Sequence, residues 1–276
     1  MSEQPNQAPL LKSRRFLPLF VTQFLGAAND NVFKNALAIL IIYRIGAGTS
    51  VNAQVLVTAS AGLFILPFFL FSATAGQLAD KYEKARLIRI IKFAEILLMS
   101  LGAVGFFTGN PWFLLAVLFL LGAQATFFGP LKYAILPDHL REDELVDGNA
   151  WIEGGTFLAI LLGTITGGLL ILTEWGIAAI SALTVLLAAL GWLSSLYILP
   201  AGPRAPHLRV GWNIFSETAA IMRQATQRRD VFLSILGISW FWLVGATFLS
   251  QFPAFAKDVL NANEHVVTLF LTVFSV

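Results

Sequence analysis

Residues 76–86 read GQLADKYEKAR, with five charged side chains in eleven positions. Before it, residues 54–78 carry no charge at all, and after it residues 87–108 are apolar apart from Arg89, Lys92 and Glu95. Each run exceeds the roughly 20 residues a helix needs to cross hydrocarbon. A short charged hairpin between two such runs predicts two antiparallel spanning helices whose connection stays in water. The pattern repeats outward in both directions. A first span covers 16–43, and Gly109-Asn110-Pro111 breaks the chain before a fourth span at 112–136. An acidic loop at 137–147 precedes spans at 148–172 and 177–199. A polar segment, 200–230, leads to a seventh span at 231–256, and an eighth begins near His265 and is still apolar at Val276. The expected fold class is all-α: a polytopic membrane protein with an N-terminal six-helix bundle, helix seven and part of helix eight.

Composition points the same way. Hydrophobic residues make up 57% of the chain and charged residues 12%, against about 25% charged in ordinary soluble domains. So few charges cannot cover an apolar surface of this size in water, and a bilayer is the expected partner. The absence of cysteine excludes disulfides, thiolate metal sites and cysteine nucleophiles. Nucleic-acid binding is not expected, because the basic residues sit in short loops and form no stripe. Those loops alternate. Lys12, Arg14, Arg15, Lys81, Lys84, Arg86, Arg89, Lys132, Arg141, Arg204, Arg209, Arg223, Arg228 and Arg229 fall on one side, and only Arg44 and Lys257 on the other. The positive-inside rule then puts the N-terminus in the cytoplasm. The expected organisation is a cytoplasmic tail at 1–15, a six-helix bundle at 16–199, a cytoplasmic linker at 200–230 and the start of a second, incomplete bundle at 231–276. Within the linker, Trp212, Ile214, Phe215, Ala219 and Met222 share one helical face. It is either an interfacial helix or a solvated connector.

Polar residues at membrane depth are costly and usually face the bundle interior. The first span carries Gln23, Asn29, Asp30, Asn31, Lys34 and Asn35. Asp30 and Lys34 are four apart, hence on one face and able to pair. Asp30 either binds a cation or a cationic head group, or forms a structural ion pair with Lys34. The flanking asparagines exceed what a simple pair requires. Glu95 is expected to pair with Lys92, which snorkels to the interface. Glu153 either contacts substrate or caps a loop. Lys132 and Tyr133 offer a cation and a phenol, either for an anion such as a lipid phosphate or as an interfacial anchor. Trp240, Phe241 and Trp242 either line an acyl-chain or choline-like site or fill the bundle. His139, His207 and His265 have no partner spacing, and no phosphate loop, metal cluster or nucleophile constellation is present. Neither an enzyme site nor a cofactor or metal is expected.

The 76–86 loop resembles the signature loop of the major facilitator superfamily. Gly76, Leu78, Ala79, Asp80, Lys81 and Lys84 match it; Glu83 replaces the usual Gly and Ala85 interrupts a basic pair. The resemblance implies a conformational latch built on Gly76, Asp80, Lys81 and Lys84, with Gly76 allowing close helix approach. Residues 163–168, GTITGG, resemble the superfamily's Gly-Pro-rich helix-five motif with Thr164 in place of proline. In the fourth span Gln124 is present, but Leu121 occupies the place of an arginine used in proton-coupled members.

Three further stretches, RRFLPLFVTQFLGAANDNVFKNAL (14–37), FFGPLKYAILPDHL (127–140) and SWFWLVGATFLSQFP (239–253), resemble the bacterial lysophospholipid transporter family. That resemblance implies inward flipping of lysophospholipids, such as lysophosphatidylethanolamine, across the bacterial cytoplasmic membrane by alternating access. It implies a substrate or ion site at Asp30, Asn29, Asn31, Lys34, Glu153, Lys132, Tyr133 and Trp240. Asp30 meets a cationic head group or a coupling ion, Na+ or H+, and Lys132 meets the phosphate. It also implies a fused or associated acyltransferase in some members. The competing readings are efflux of drugs or metabolites on the same scaffold, the membrane part of a fused acyltransferase, and a non-transporting scaffold. Alternating access needs two halves, so these 276 residues are not expected to transport alone.

Overall fold

The computed structural model describes residues 10–45, 52–211 and 213–263, together with 266, 269, 270 and 273. Its helices are α1 (Leu17–Leu40), α2 (Ala53–Lys81), α3 (Lys84–Thr108), α4 (Pro111–Ala134), the single turn α5 (Leu136–His139), α6 (Leu145–Leu170), α7 (Gly176–Ser195), α8 (Ile214–Thr226) and α9 (Arg229–Asp258). No strand occurs among the described residues. The seven long helices other than α8 overlap the expected first to seventh spans. His265 and most of the expected eighth span lie outside the described residues, as does Trp212; Val266, Leu269, Phe270 and Val273 are helical.

Local chemistry explains the sharpest boundaries. Gly109 ends α3 in a left-handed conformation, φ 63°, which glycine adopts without a Cβ penalty. Asn110 then caps α4 by accepting from the Trp112 and Phe113 amides at 3.0 and 3.2 Å. Pro111 follows at the first helical position, where a missing N–H costs nothing. Between α2 and α3 only two residues intervene. Glu83 caps α3, its carboxylate accepting from the Ala85 and Arg86 amides at 2.9 and 2.6 Å.

Helices α2, α3, α4 with α5, α6 and α7 are long and apolar enough to cross a membrane. The polar band of α1 keeps it out of that set, and packing explains how it is carried. α1 packs on α6 as α2 packs on α4, α1 packs on α7 as α4 packs on α3, and α3 packs on α7. Exchanging the triplet α1–α2–α3 with α4–α6–α7 maps this pattern onto itself, which describes two interlocked three-helix units. Every principal contact runs between the units.

The α1–α6 contact fixes the register of the site. A Cβ added at Gly163 would lie 2.6 Å from the Ala28 carbonyl oxygen, and at Gly167 2.5 Å from that of Val32. The two backbones touch there, as small residues permit. Gly155 faces Phe20 and Gln23, Gly163 faces Ala28 and Asn31, and Gly167 faces Val32 and Ala36. The numbers rise together, so α1 and α6 run parallel. Along α1, Phe16 and Leu19 belong to one apolar cluster and Val32 to Ile42 to another. The polar band lies between the two clusters.

The end of the bundle near Phe16 is held by charge. Arg15 grips Glu144 with both guanidinium arms, one at 2.7 Å. Lys84, fully buried, pairs with Asp138 at 2.8 Å. Arg89 donates to the Ile198 carbonyl at 3.0 Å.

Candidate functional site

A cavity of about 520 Å³ opens between α1, α2, α4 and α6, with α9 at its rim. Six of the eight residues singled out from sequence line it: Asp30, Asn31 and Lys34 from α1, Lys132 and Tyr133 from α4, and Glu153 from α6. Phe64, Phe68, Phe128, Ile160 and Trp242 supply apolar wall. The site thus combines charges with a greasy lining.

The charges are not locked to one another. Asp30 Oδ1 is buried and has no hydrogen-bond partner among the described residues. Among the described residues no ion pair within 4.0 Å joins Asp30 to Lys34. The simple structural pair is therefore not what the band builds. The Lys34 ammonium lies 4.5 Å from the centre of the Phe64 ring instead, a contact that steadies a cation without neutralising it. Lys132 likewise lies over the Tyr133 ring at 4.8 Å. Tyr133 donates its hydroxyl to Glu153, which ties α4 to α6 across the cavity mouth. Gln23 and Thr156, also on the lining, are joined at 3.0 Å. Buried polar atoms normally find partners, yet among the described residues this Asp30 carboxylate oxygen has none and neither Lys34 nor Lys132 closes onto a carboxylate.

Two expected site residues lie elsewhere. Asn29 is fully buried and turned away, donating to Glu95 Oε1 at 3.1 Å. Neighbouring residues on a helix are separated by about 100°, so Asp30 faces the cavity and Asn29 faces α3. Trp240 is 68% exposed. The cavity tryptophan is Trp242, two positions on and on the opposite face of α9, stacked on Phe157 with centroids 6.4 Å apart.

In the cavity wall itself stands a polar knot that is more deeply buried than expected; Lys92 and Gln124 both reach the lining. Lys92 does not snorkel to an interface: it and Glu95 are each 1% exposed and pair at 2.6 Å. Gln124 donates to the same carboxylate at 3.0 Å. A Cβ at Gly26 would come within 2.1 Å of the Lys92 nitrogen, so that glycine makes room for the ammonium. The three-residue spacing of Lys92 and Glu95 signalled the pair; only the fold reveals its depth.

The 76–86 loop is occupied by the linker. The Ala201 amide donates to Glu83 at 2.9 Å, the Lys84 ammonium to the Gly202 carbonyl at 3.0 Å, and the Ala205 amide to the Asp80 carbonyl at 2.9 Å. Gln77 accepts from the Gly211 amide at 2.7 Å and donates to Glu217 of α8. Lys81 lies over the Tyr82 ring at 5.6 Å. A Cβ at Gly76 would meet nothing within 4 Å, so the close approach expected there is not made by the described residues. Glu83, the departure from the usual loop, both caps α3 and holds the linker.

The description "Major Facilitator Superfamily" matches residues 19–276. The chain belongs to that superfamily. Among its superfamily relatives, a lysophospholipid transporter of Pectobacterium carotovorum is 30% identical over 281 residues, covering 98% of this chain and 63% of its own. One of Escherichia coli O6:K15:H31 is 31% identical over 276 residues, covering 98% and 65%. One of Serratia proteamaculans is 29% identical over 255 residues, covering 88% and 58%. The chain thus spans about three fifths of the length of the curated relatives it matches. Among solved structures, a D-xylose–proton symporter superposes with a TM-score of 0.56 at 12% identity, covering 95% of this chain and 65% of its own; that likeness concerns the fold alone.

Proposed function

We propose that this chain is the N-terminal part of a transporter that flips lysophospholipids inward across a bacterial cytoplasmic membrane by alternating access. The observation that carries the reading is the cavity: an Asp30 oxygen without a partner and Lys34 and Lys132 ammonium groups outside any ion pair among the described residues, with aromatic walls in one space. Lysophosphatidylethanolamine has the matching parts, an ammonium, a phosphate and one acyl chain. Asp30 takes the cationic group or a coupling ion, Na+ or H+, and Lys132 takes the phosphate, each at its own depth as the head group passes along the cavity. Asn31, Lys34, Glu153 and Tyr133 complete the polar lining, and Trp242 with the phenylalanines accommodates the tail. The lysophospholipid transporters of the relatives support this substrate class.

The charge asymmetry of the loops supports a cytoplasmic N-terminus and linker, with division into a tail at 1–15, a bundle at 16–199, a linker at 200–230 and the beginning of a second bundle at 231–276. Gly76, Asp80, Lys81 and Lys84 form the latch loop. The exposed apolar residues Phe215 and Met222 of α8 rest among head groups. A fused acyltransferase is a partner consistent with the substrate.

The test is uptake of labelled lysophosphatidylethanolamine by proteoliposomes containing the full-length protein. Asp30→Asn and Lys132→Gln should each lower uptake at least tenfold. Wild-type-like uptake in both variants, or no uptake by the wild type, overturns the assignment.

A further inference from the structure

Asp30 and Lys132 line one cavity, yet they do not sit at one depth. Gly155 of α6 faces Phe20 and Gln23 of α1, and Gly163 faces Ala28 and Asn31. Glu153, two residues before Gly155, therefore lies roughly ten residues short of the level of Asp30, about 15 Å along parallel helices that rise 1.5 Å per residue. Tyr133 donates to Glu153, and the Lys132 ammonium lies 4.8 Å from the Tyr133 ring centre. Lys132, Tyr133 and Glu153 thus form one level near the bundle end that holds Arg15 and Lys84. Asp30 and Lys34 form another, deeper level.

Each level has the same composition: one carboxylate and one ammonium, both facing the cavity. At neither level do the two close into an ion pair within 4.0 Å among the described residues. At each, the lysine instead rests on an aromatic ring, Phe64 inside and Tyr133 outside. The third lysine of the lining, Lys92, is different. It is closed onto Glu95 at 2.6 Å, so it offers no free cation. The phosphate and ammonium of an ethanolamine phosphodiester are joined by a two-carbon bridge, far too short to reach between the two levels.

Resting on the lysophospholipid reading, we propose that the cavity holds two successive stations for a zwitterionic phosphodiester head group. The inner station is Asp30 with Lys34, and the outer is Lys132 with Glu153, positioned by Tyr133. Each station offers its lysine to the phosphate and its carboxylate to the ammonium. A head group in transit exchanges one complete set of counter-charges for another, and is never stranded in the apolar lining with a single partner.

The experiment is equilibrium dialysis of the full-length protein against labelled sn-glycero-3-phosphoethanolamine, the head group without a tail. The wild type should bind two equivalents at saturation. Asp30→Asn should bind one, as should the paired variant Lys132→Gln/Glu153→Gln. Combining all three substitutions should leave none, and Lys132→Arg should keep two. Lys34→Gln serves as the inner variant if Asp30→Asn does not fold, judged by size-exclusion behaviour. One equivalent in the wild type that is lost in either station's variant means a single site and overturns the proposal. Two equivalents that survive both sets of substitutions overturn it too. A parallel measurement with labelled lysophosphatidylethanolamine separates the two ideas. If the wild type binds the lipid but not the head group, the stations fall and the proposed function stands. If it binds neither, both fall.

Discussion

Glu95→Gln isolates the charge in the buried knot, because glutamine has nearly the same shape and its oxygen still accepts a hydrogen bond. In the native chain the Glu95 carboxylate takes Lys92 at 2.6 Å, Gln124 at 3.0 Å and Asn29 at 3.1 Å. Lys92 is 1% exposed, so little solvation replaces the lost carboxylate. The Phe128 ring, 4.8 Å from the nitrogen, stays in place. Removing one member of a buried pair costs about 3–5 kcal/mol, and a desolvated cation–π contact returns about 2 kcal/mol at best. That contact is already present in the wild type, so it limits relaxation and does not cancel the loss. The expected destabilisation is about 3 kcal/mol, and the unfolding midpoint falls on the order of 10 °C. Lys92→Gln/Glu95→Gln removes both charges and should recover most of the difference, leaving about 1 kcal/mol. The assay is thermal unfolding of the full-length protein in detergent, for the wild type, both single variants and the double. A midpoint for Glu95→Gln within about 2 °C of wild type, or a double variant as unstable as the sum of the singles, refutes the account.

Gly163→Val places side-chain atoms where α1 backbone stands 2.6 Å away. It should cost about 1–3 kcal/mol in the same melt, whereas Gly154→Ala, beside open space, should be neutral to within about 1 kcal/mol, the helix-propensity scale. Trp242→Ala should raise the KM for lysophosphatidylethanolamine uptake several-fold while Trp240→Ala leaves it unchanged; equal effects would remove the face assignment of α9. Glu83→Ala deletes the α3 cap and the hold on Ala201, worth about 1 kcal/mol. Trypsin should then cut at Arg204 and Arg209 about fivefold faster when local opening limits cleavage, and an unchanged rate argues that Glu83 does not secure the linker.

Hydrophobic run length located seven helices, and Gly109-Asn110-Pro111 marked a boundary correctly because each residue has one cheap position in a helix–turn–helix junction. That the polar band of α1 faces the bundle interior was legible because residues 23–35 carry more polar groups than lipid tolerates. What sequence left open was phase. Asn29 and Asp30 are adjacent and chemically similar, yet one faces α3 and the other the cavity, since helix rotation is set by glycines on α6 that α1 does not encode. Trp240 and Trp242 were separated by the same geometry. Lys92 was read as snorkelling to the interface because a lysine near a helix end usually does. Its burial depends on Gly26, Gln124 and Phe128, which come from two other helices. The linker's hydrogen bonds to Gln77, Asp80 and Glu83 had no sequence signal, since the donors at 201, 205 and 211 are backbone amides.

The cross-unit packing bears on how the chain is made. Within the first triplet the helices touch only sparsely; α1 finds its main partners in α6 and α7, and α2 finds its own in α4. During synthesis, then, residues 16–108 enter the lipid before either surface that α1 packs against exists. Until residues 145–195 emerge, Asp30 and Lys34 lack the α6 and α7 surfaces that α1 packs against. The helix that carries Asp30 and Lys34 is therefore packed chiefly by partners made after it.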